Sequence, residues 1–120
     1  MEKAEAVAAL AALAQDNRLD VFKLLVRAGT EGMPAGLVAE KLGIAPSALT
    51  FHLDRLRHAG LVTVKREGRS MIYAARYAGM YALLAYLSEN CCAGVPPAGV
   101  QALVKQARGS SGRKKNVSAE

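Results

Sequence analysis

Apolar positions recur along this chain with two periods. Through the first half and again from residue 77 to 107 they fall three or four apart, the spacing of helices with one buried face. Between residues 61 and 74 they alternate instead, the spacing of a half-buried hairpin. Residues 4–15 are rich in alanine, with Val7, Leu10, Ala11 and Ala14 on one side, a narrow stripe against which another helix packs closely. Asp16 or Asn17 is placed to cap a second helix whose core face is Leu19, Phe22, Leu25 and Val26, and Gly29 ends it. A loop containing glycine and proline occupies residues 30–36. Val38, Leu42, Ile44, Leu49 and Leu53 then supply the apolar positions that two steeply crossing helices bury between them, with the small Ala39 at their closest approach. Gly43 lets the chain leave the first of these in a left-handed conformation, and Pro46 suits the first turn of the next. That next helix, residues 46–59, has Leu49, Leu53 and Leu56 on one face and Ser47, Thr50, Phe51, Asp54, Arg55 and His58 on the other.

In the hairpin, Val62 and Val64 alternate with Thr63 and Lys65, and Glu67, Gly68, Arg69 and Ser70 form the tip. Two helices joined by a glycine turn and followed by a basic hairpin predict a mainly α, α+β fold of the winged helix-turn-helix type. The exposed face of residues 46–59 then suits a DNA major groove: hydroxyls near the helix start bond base edges or phosphates, and Arg55 reaches the backbone or a guanine edge. Lys65, Arg66 and Arg69 cluster at the wing, where they suit a phosphate backbone or a minor groove. The expected DNA contacts are Ser47, Thr50, Phe51, His52, Arg55, Arg66 and Arg69, with His52 half-buried or facing a phosphate. A helix at 77–90 follows, its stripe of Met80, Leu83, Leu84 and Leu87 expected to be core or dimer interface. First and last long helices with apolar faces to spare suggest a two-fold dimer presenting two readers to a palindrome. Residues 1–95 are expected to form the DNA-binding and dimerisation domain. Pro96 and Pro97 break the chain, residues 96–108 form an extension with a short helix at 100–107, and 109–120 is a disordered basic tail.

Charge supports a polyanionic partner. The net charge is +6, and residues 52–69 hold five of the sixteen lysines and arginines. No segment has the apolar length to span a bilayer, and Met1, Glu2 and Lys3 do not open a signal peptide, so a cytoplasmic location with reduced cysteines is expected. No catalytic constellation or phosphate-cradling glycine loop is visible, and the adjacent Cys91 and Cys92 lack the spacing of an oxidoreductase pair. An enzyme is not expected.

The run from Ala45 to Val62, APSALTFHLDRLRHAGLV, resembles the ArsR family of metalloregulatory repressors. The run from Leu13 to Asp20, LAQDNRLD, is similar to that family's second-helix entry, and Leu87 to Gly94, LSENCCAG, resembles the end of the last helix in its arsenical-sensing members. The resemblance covers residues 5–95 and implies a homodimer that holds operator DNA when empty and releases it when its effector binds. One branch of the family carries thiolates in the reader's first helix, yet residues 37–42 have no cysteine. Another holds zinc between the last helices through Asp, His and Glu, yet residues 77–90 have no His or Asp.

Cys91 and Cys92 remain. Soft thiolates select thiophilic species, so trivalent arsenic or antimony is their expected guest, whereas zinc ordinarily takes four ligands. Arsenite would ideally take three thiolates, and Val95, Pro96, Pro97 and Ala98 add none; methylarsenite needs only two. A third ligand from solvent or the partner chain would restore arsenite. The expected regulator therefore needs no resident cofactor and answers to arsenite, methylarsenite or antimonite. Three alternatives stay open at this point: cysteines that are merely small apolar residues, a thiol-oxidation sensor, and a winged-helix module that docks proteins.

Overall fold

The computed structural model describes residues 1–95 and 97–112. Its elements are α1 (Lys3–Leu13), α2 (Asp16–Ala28), β1 (Met33–Pro34), α3 (Ala35–Leu42), α4 (Pro46–His58), β2 (Val62–Glu67), β3 (Ser70–Ala75), α5 (Tyr77–Leu87), a short turn at Cys92–Gly94 and α6 (Ala98–Gly112). The chain adopts the winged helix-turn-helix, α+β fold that its pattern predicts. The residues form two compact units, Val7–Arg76 and a second made of Met1–Ala6 with the chain from Tyr77 onward.

In the first unit α2, α3 and α4 close a three-helix core. Val21, Phe22 and Leu25 enter it from α2, Val38 and Ala39 from α3, and Leu49, Leu53 and Leu56 from α4. The i, i+4, i+7 stripe on α4 is thus the buried face that its spacing demands. Leu42 and Ile44, expected inside, are half-buried at the turn. Gly43 there takes φ 65° and ψ 35°, and the N–H groups of Gly43 and Ile44 both donate to the Ala39 carbonyl, closing α3.

Two helices differ from expectation in their details. Gln15, not Asp16 or Asn17, caps α2: its side-chain oxygen accepts from the Arg18 N–H at 2.9 Å. The face α2 buries is turned so that Val21 is inside and Leu19 exposed. In α1 the alanines Ala6, Ala9 and Ala12 are buried, while Val7 and Leu10, expected on the packing side, are exposed. A stripe of methyl groups permits closer approach than valine and leucine allow, so the small residues take the inner face.

The wing is a three-stranded antiparallel sheet in the order β1, β3, β2. Val62 pairs with Ala75 and the register runs to Glu67 opposite Ser70, leaving Gly68 and Arg69 as a two-residue turn. Gly68 has φ 62°, the first-position glycine of a II′ hairpin. The strand β1 lies within the stretch read as a loop, because two residues carry no periodicity; Met33 pairs with Tyr73 and Pro34 with Ile72. Gly32 makes this docking possible. It has φ 76°, and a Cβ there would overlap the Tyr73 carbonyl oxygen.

In the second unit α5 packs against α6. Leu83 is buried, whereas Leu84 and Leu87 of the same stripe are exposed. α6 is longer than the expected 100–107 and takes in residues 109–112 of the segment read as a disordered tail, which corrects that expectation for those four residues. Arg113, Lys114 and Lys115 lie outside the described residues.

Candidate nucleic-acid interface and thiol pair

The outer face of α4 presents the residues that a groove reader requires. Ser47, Thr50, Phe51, Asp54, Arg55 and His58 are all exposed. Ala45, at the N-cap, supplies no side-chain acceptor, and Pro46 occupies the first turn. The backbone N–H groups of Ser47 and Ala48 therefore stand at the positive end of the helix dipole with no intrahelical acceptor. Thr50 Oγ1 donates to the Pro46 carbonyl at 3.0 Å, which leaves its lone pairs as acceptors. The Arg55 guanidinium stands 5.3 Å from the centroid of the exposed Phe51 ring, a cation held over an aromatic on this face. Asp54 accepts from Arg57 at 3.1 Å, an exposed pair.

His52 does not belong to this face. It is 8% exposed, lies in the stripe with Leu49, Leu53 and Leu56, and meets Arg18 of α2, with Nδ1 3.2 Å from the guanidinium Nη1. A guanidinium only donates, so Nδ1 accepts and the imidazole proton is on Nε2. Burial, and then the Arg18 charge, hold the His52 pKa below its ordinary 6.5. The expected phosphate contact from His52 is thus corrected to a neutral, buried acceptor. Arg18, to which the sequence reading assigned no role, also donates through Nε to the Ala12 carbonyl at 2.7 Å. One side chain thereby links the end of α1, α2 and the recognition helix. The signal was present in the sequence: His52 falls three residues after Leu49 and four before Leu56, inside the apolar stripe.

On the wing Lys65, Arg66 and Arg69 are exposed. Lys65 pairs with Glu67 at 3.1 Å on the same strand face, and Arg66 Nε donates to the Gly68 carbonyl at 3.2 Å. Arg69 makes no hydrogen bond or ion pair among the described residues. Sitting in the turn, it is the cation of the tip most available to an external phosphate.

The second candidate chemistry lies beyond α5. The helix stops at Leu87, short of the expected residue 90, and the Ser88 hydroxyl bonds back to the carbonyls of Leu84 and Ala85 at 2.9 and 3.2 Å. Cys91 and Cys92 therefore occupy a turn after the helix. Asn90, Cys92 and Ala93 have φ of 57°, 59° and 56°, a left-handed path that costs non-glycine residues about 1–2 kcal/mol each. The path brings the Cys92 sulfur, as donor, to 3.0 Å from the Cys91 sulfur. Both thiols are free, Cys91 half-buried and Cys92 exposed. The sulfur–sulfur hydrogen bond, with smaller effects of burial and the neighbouring charge, pushes the Cys91 thiol above its ordinary value. Among the described residues no third His, Cys, Asp or Glu joins them in a metal-sized cluster.

Residues 13–65 match a family model described as a helix-turn-helix domain, which spans α2 to the start of the wing. The chain is 35% identical over 80 residues to the nodulation protein NolR of Rhizobium meliloti, the aligned part being 67% of this chain and 63% of NolR. It therefore spans less than two thirds of that relative. It is 31% identical over 94 residues to the transcriptional activator HlyU of Vibrio cholerae, 77% of this chain and 84% of HlyU. An ArsR-like transcriptional regulator from Rhodococcus sp. RHA1 superposes with a TM-score of 0.64 at 25% identity, covering 92% of this chain and 93% of that one. Among the described residues no helix is long and apolar enough to cross a membrane. From the recognition helix, the wing and these relatives together, the chain belongs to the ArsR-like family of winged helix-turn-helix transcriptional regulators.

Proposed function

We propose that the protein is a cytoplasmic homodimeric repressor that holds a palindromic operator and releases it when a trivalent arsenical binds Cys91 and Cys92. The observation that carries the effector reading is the sulfur pair: two free thiols 3.0 Å apart on a turn that water reaches. One thiophilic atom with bonds of about 2.3 Å, the length zinc–thiolate bonds take, spans such a pair. Methylarsenite fits the count of two thiolates. Arsenite and antimonite complete their shell with a ligand from solvent or the partner copy.

For the DNA half, Ser47, Thr50, Phe51 and Arg55 meet the major groove, the free N–H groups of the α4 start meet a phosphate, and Arg66 and Arg69 follow the backbone. The exposed Val7 and Leu10 of α1 and Leu84 and Leu87 of α5 are the apolar side chains that dimerisation would cover. Two readers fixed on one two-fold must match successive major grooves together. Pulling both thiolates onto one atom redraws the turn that follows α5, and a small change in a dimer helix costs both half-sites at once.

Fluorescence anisotropy on the protein's own promoter fragment, titrated with methylarsenite and arsenite, tests the reading. The expected result is a specific, salt-dependent complex that methylarsenite dissociates and that Cys91→Ser/Cys92→Ser protein retains. Dissociation of the double variant by the same arsenical would overturn the effector assignment, and no specific complex at any salt concentration would overturn the repressor.

A further inference from the structure

The α5–α6 unit carries a half-open groove of about 580 Å³. Its helix walls are Ala82, Ala85 and Tyr86 from α5 and Val100, Val104 and Ala107 from α6, all half-buried, and Ser88, Glu89, Asn90 and Arg108 add polar groups to its lining. Three of the six helix-wall residues are alanine, so two packed helices leave a channel where larger side chains would have met. Cys91 stands in the wall of this groove, while Cys92 is exposed to solvent. Among the described residues no buried side-chain nitrogen or oxygen lacks a hydrogen-bond partner, so no buried polar side chain there awaits a polar guest. An enclosed apolar cavity of about 150 Å³ suffices to bind benzene. The groove is several times larger and lies in the range of small-molecule sites, roughly 300–1,000 Å³.

An arsenic atom held on two thiolates retains one valence, and its substituent lies beside whatever borders the sulfurs. Here Cys91 brings that border to the alanine-lined channel. A hydroxyl or a methyl would leave most of the apolar helix walls uncovered. We propose that the effector is a trivalent arsenical bearing an aryl group, its arsenic on Cys91 and Cys92 and its ring in the groove between α5 and α6. This rests on the arsenical reading above and names the substituent that the site selects.

The covalent step is an exchange without redox. An arylarsonous acid carries two hydroxyls; two As–O bonds break and two As–S bonds form. The two thiol protons leave with the hydroxyls as two waters, and arsenic remains trivalent. The As–C bond is untouched, so the ring stays attached to the atom the cysteines hold.

The test is calorimetric titration of the reduced full chain with arsenite, methylarsenite and phenylarsenite. Wild-type protein is expected to bind phenylarsenite at least about tenfold more tightly than methylarsenite, the gain following from the extra apolar surface buried. Ala85→Leu and Val104→Phe, which fill the channel, are expected to remove that preference and leave methylarsenite binding within about twofold, a surplus term lost without the sulfur bonds. A bound fluorophenyl arsenical read by its 19F shift, relative to the same compound on a small dithiol, reports ring burial in the unmutated protein. Equal wild-type affinity for the phenyl and methyl compounds, with a solvent-like 19F shift, overturns the groove assignment while the dithiol reading stands. Failure of wild-type protein to bind any of the three overturns the dithiol reading, and this inference with it.

Discussion

The reader unit and the α5–α6 unit dispose of their apolar residues in opposite ways. In the reader the large side chains are inside: Leu49, Leu53 and Leu56 are at most 1% exposed, and a polar residue in the same stripe, His52, has a partner from another helix. In the second unit the helix with the higher apolar content, α5, buries Leu83 and Gly79 and leaves Leu84 and Leu87 exposed. Three non-glycine residues after it follow a left-handed path, whereas every positive φ in the reader is a glycine. A unit that must hold a helix at fixed geometry against DNA has its contacts satisfied internally. Open surface and backbone strain of the kind the second unit carries are general features of mobile and ligand-binding regions, and they accord with the effector site proposed for it.

That contrast can be broken by mutation. Leu53→Ala should destabilise the protein most, by about 2–5 kcal/mol, because the side chain is fully enclosed and its loss leaves a cavity; urea unfolding followed by circular dichroism measures it. Gly32→Ala comes next, at about 1–3 kcal/mol, since a left-handed backbone and a blocked Cβ must both be accommodated beside Tyr73. Arg18→Ala should cost about 1–3 kcal/mol by leaving the Ala12 carbonyl and His52 Nδ1 without their donor, and the same variant should weaken operator binding beyond what its unfolded fraction explains. Wild-type behaviour in all three would show that the reader is not held together as described. Leu87→Ala, by contrast, should change the stability of the isolated chain by less than about 0.5 kcal/mol. In the proposed dimer its effect should fall on self-association, read by analytical ultracentrifugation.

A pH series sharpens the same comparison. His52 has a folded pKa below its unfolded value of about 6.5, so the native state resists the proton that the unfolded chain accepts. Its contribution to stability is therefore complete above that unfolded value and declines as pH falls through it toward the folded pKa. His52→Gln should flatten this acid limb in a thermal-melt series between about pH 5 and 8, the range in which histidine titrates. An unchanged limb would place the acid sensitivity elsewhere.

Much of the reader was legible because its chemistry is periodic or punctuated. Leu49, Leu53 and Leu56 repeat at helical spacing, Gly43 and Gly68 mark the two turns, and Pro46 opens the recognition helix. What escaped was set by neighbours distant in sequence. The two-residue strand β1 exists because β3 offers it an edge. Gln15 rather than Asp16 or Asn17 is the cap because α2 starts at Asp16, one residue before a cap at Asp16 and two before a cap at Asn17 would allow. The inward turn of the α1 alanines reflects how closely a neighbouring surface approaches, which spacing alone does not encode. For the site, the exposed face of α4 and the cysteine pair could be read directly. The Arg18–His52 contact and the α5–α6 groove needed three dimensions.

The two-residue turn at Gly68 and Arg69 has a consequence for how such wings can diverge. Residues alternate between the two faces of a strand, so one residue added to each arm would leave the pairs below it in place but turn the tip, Arg69 included, to the opposite face of the sheet. Two added to each arm restore the faces and extend the tip by about 7 Å. Reach along DNA is therefore quantised for this hairpin. Insertions can lengthen its grip only in paired steps, and the position of the arginine at its tip is inherited as one of a few discrete values.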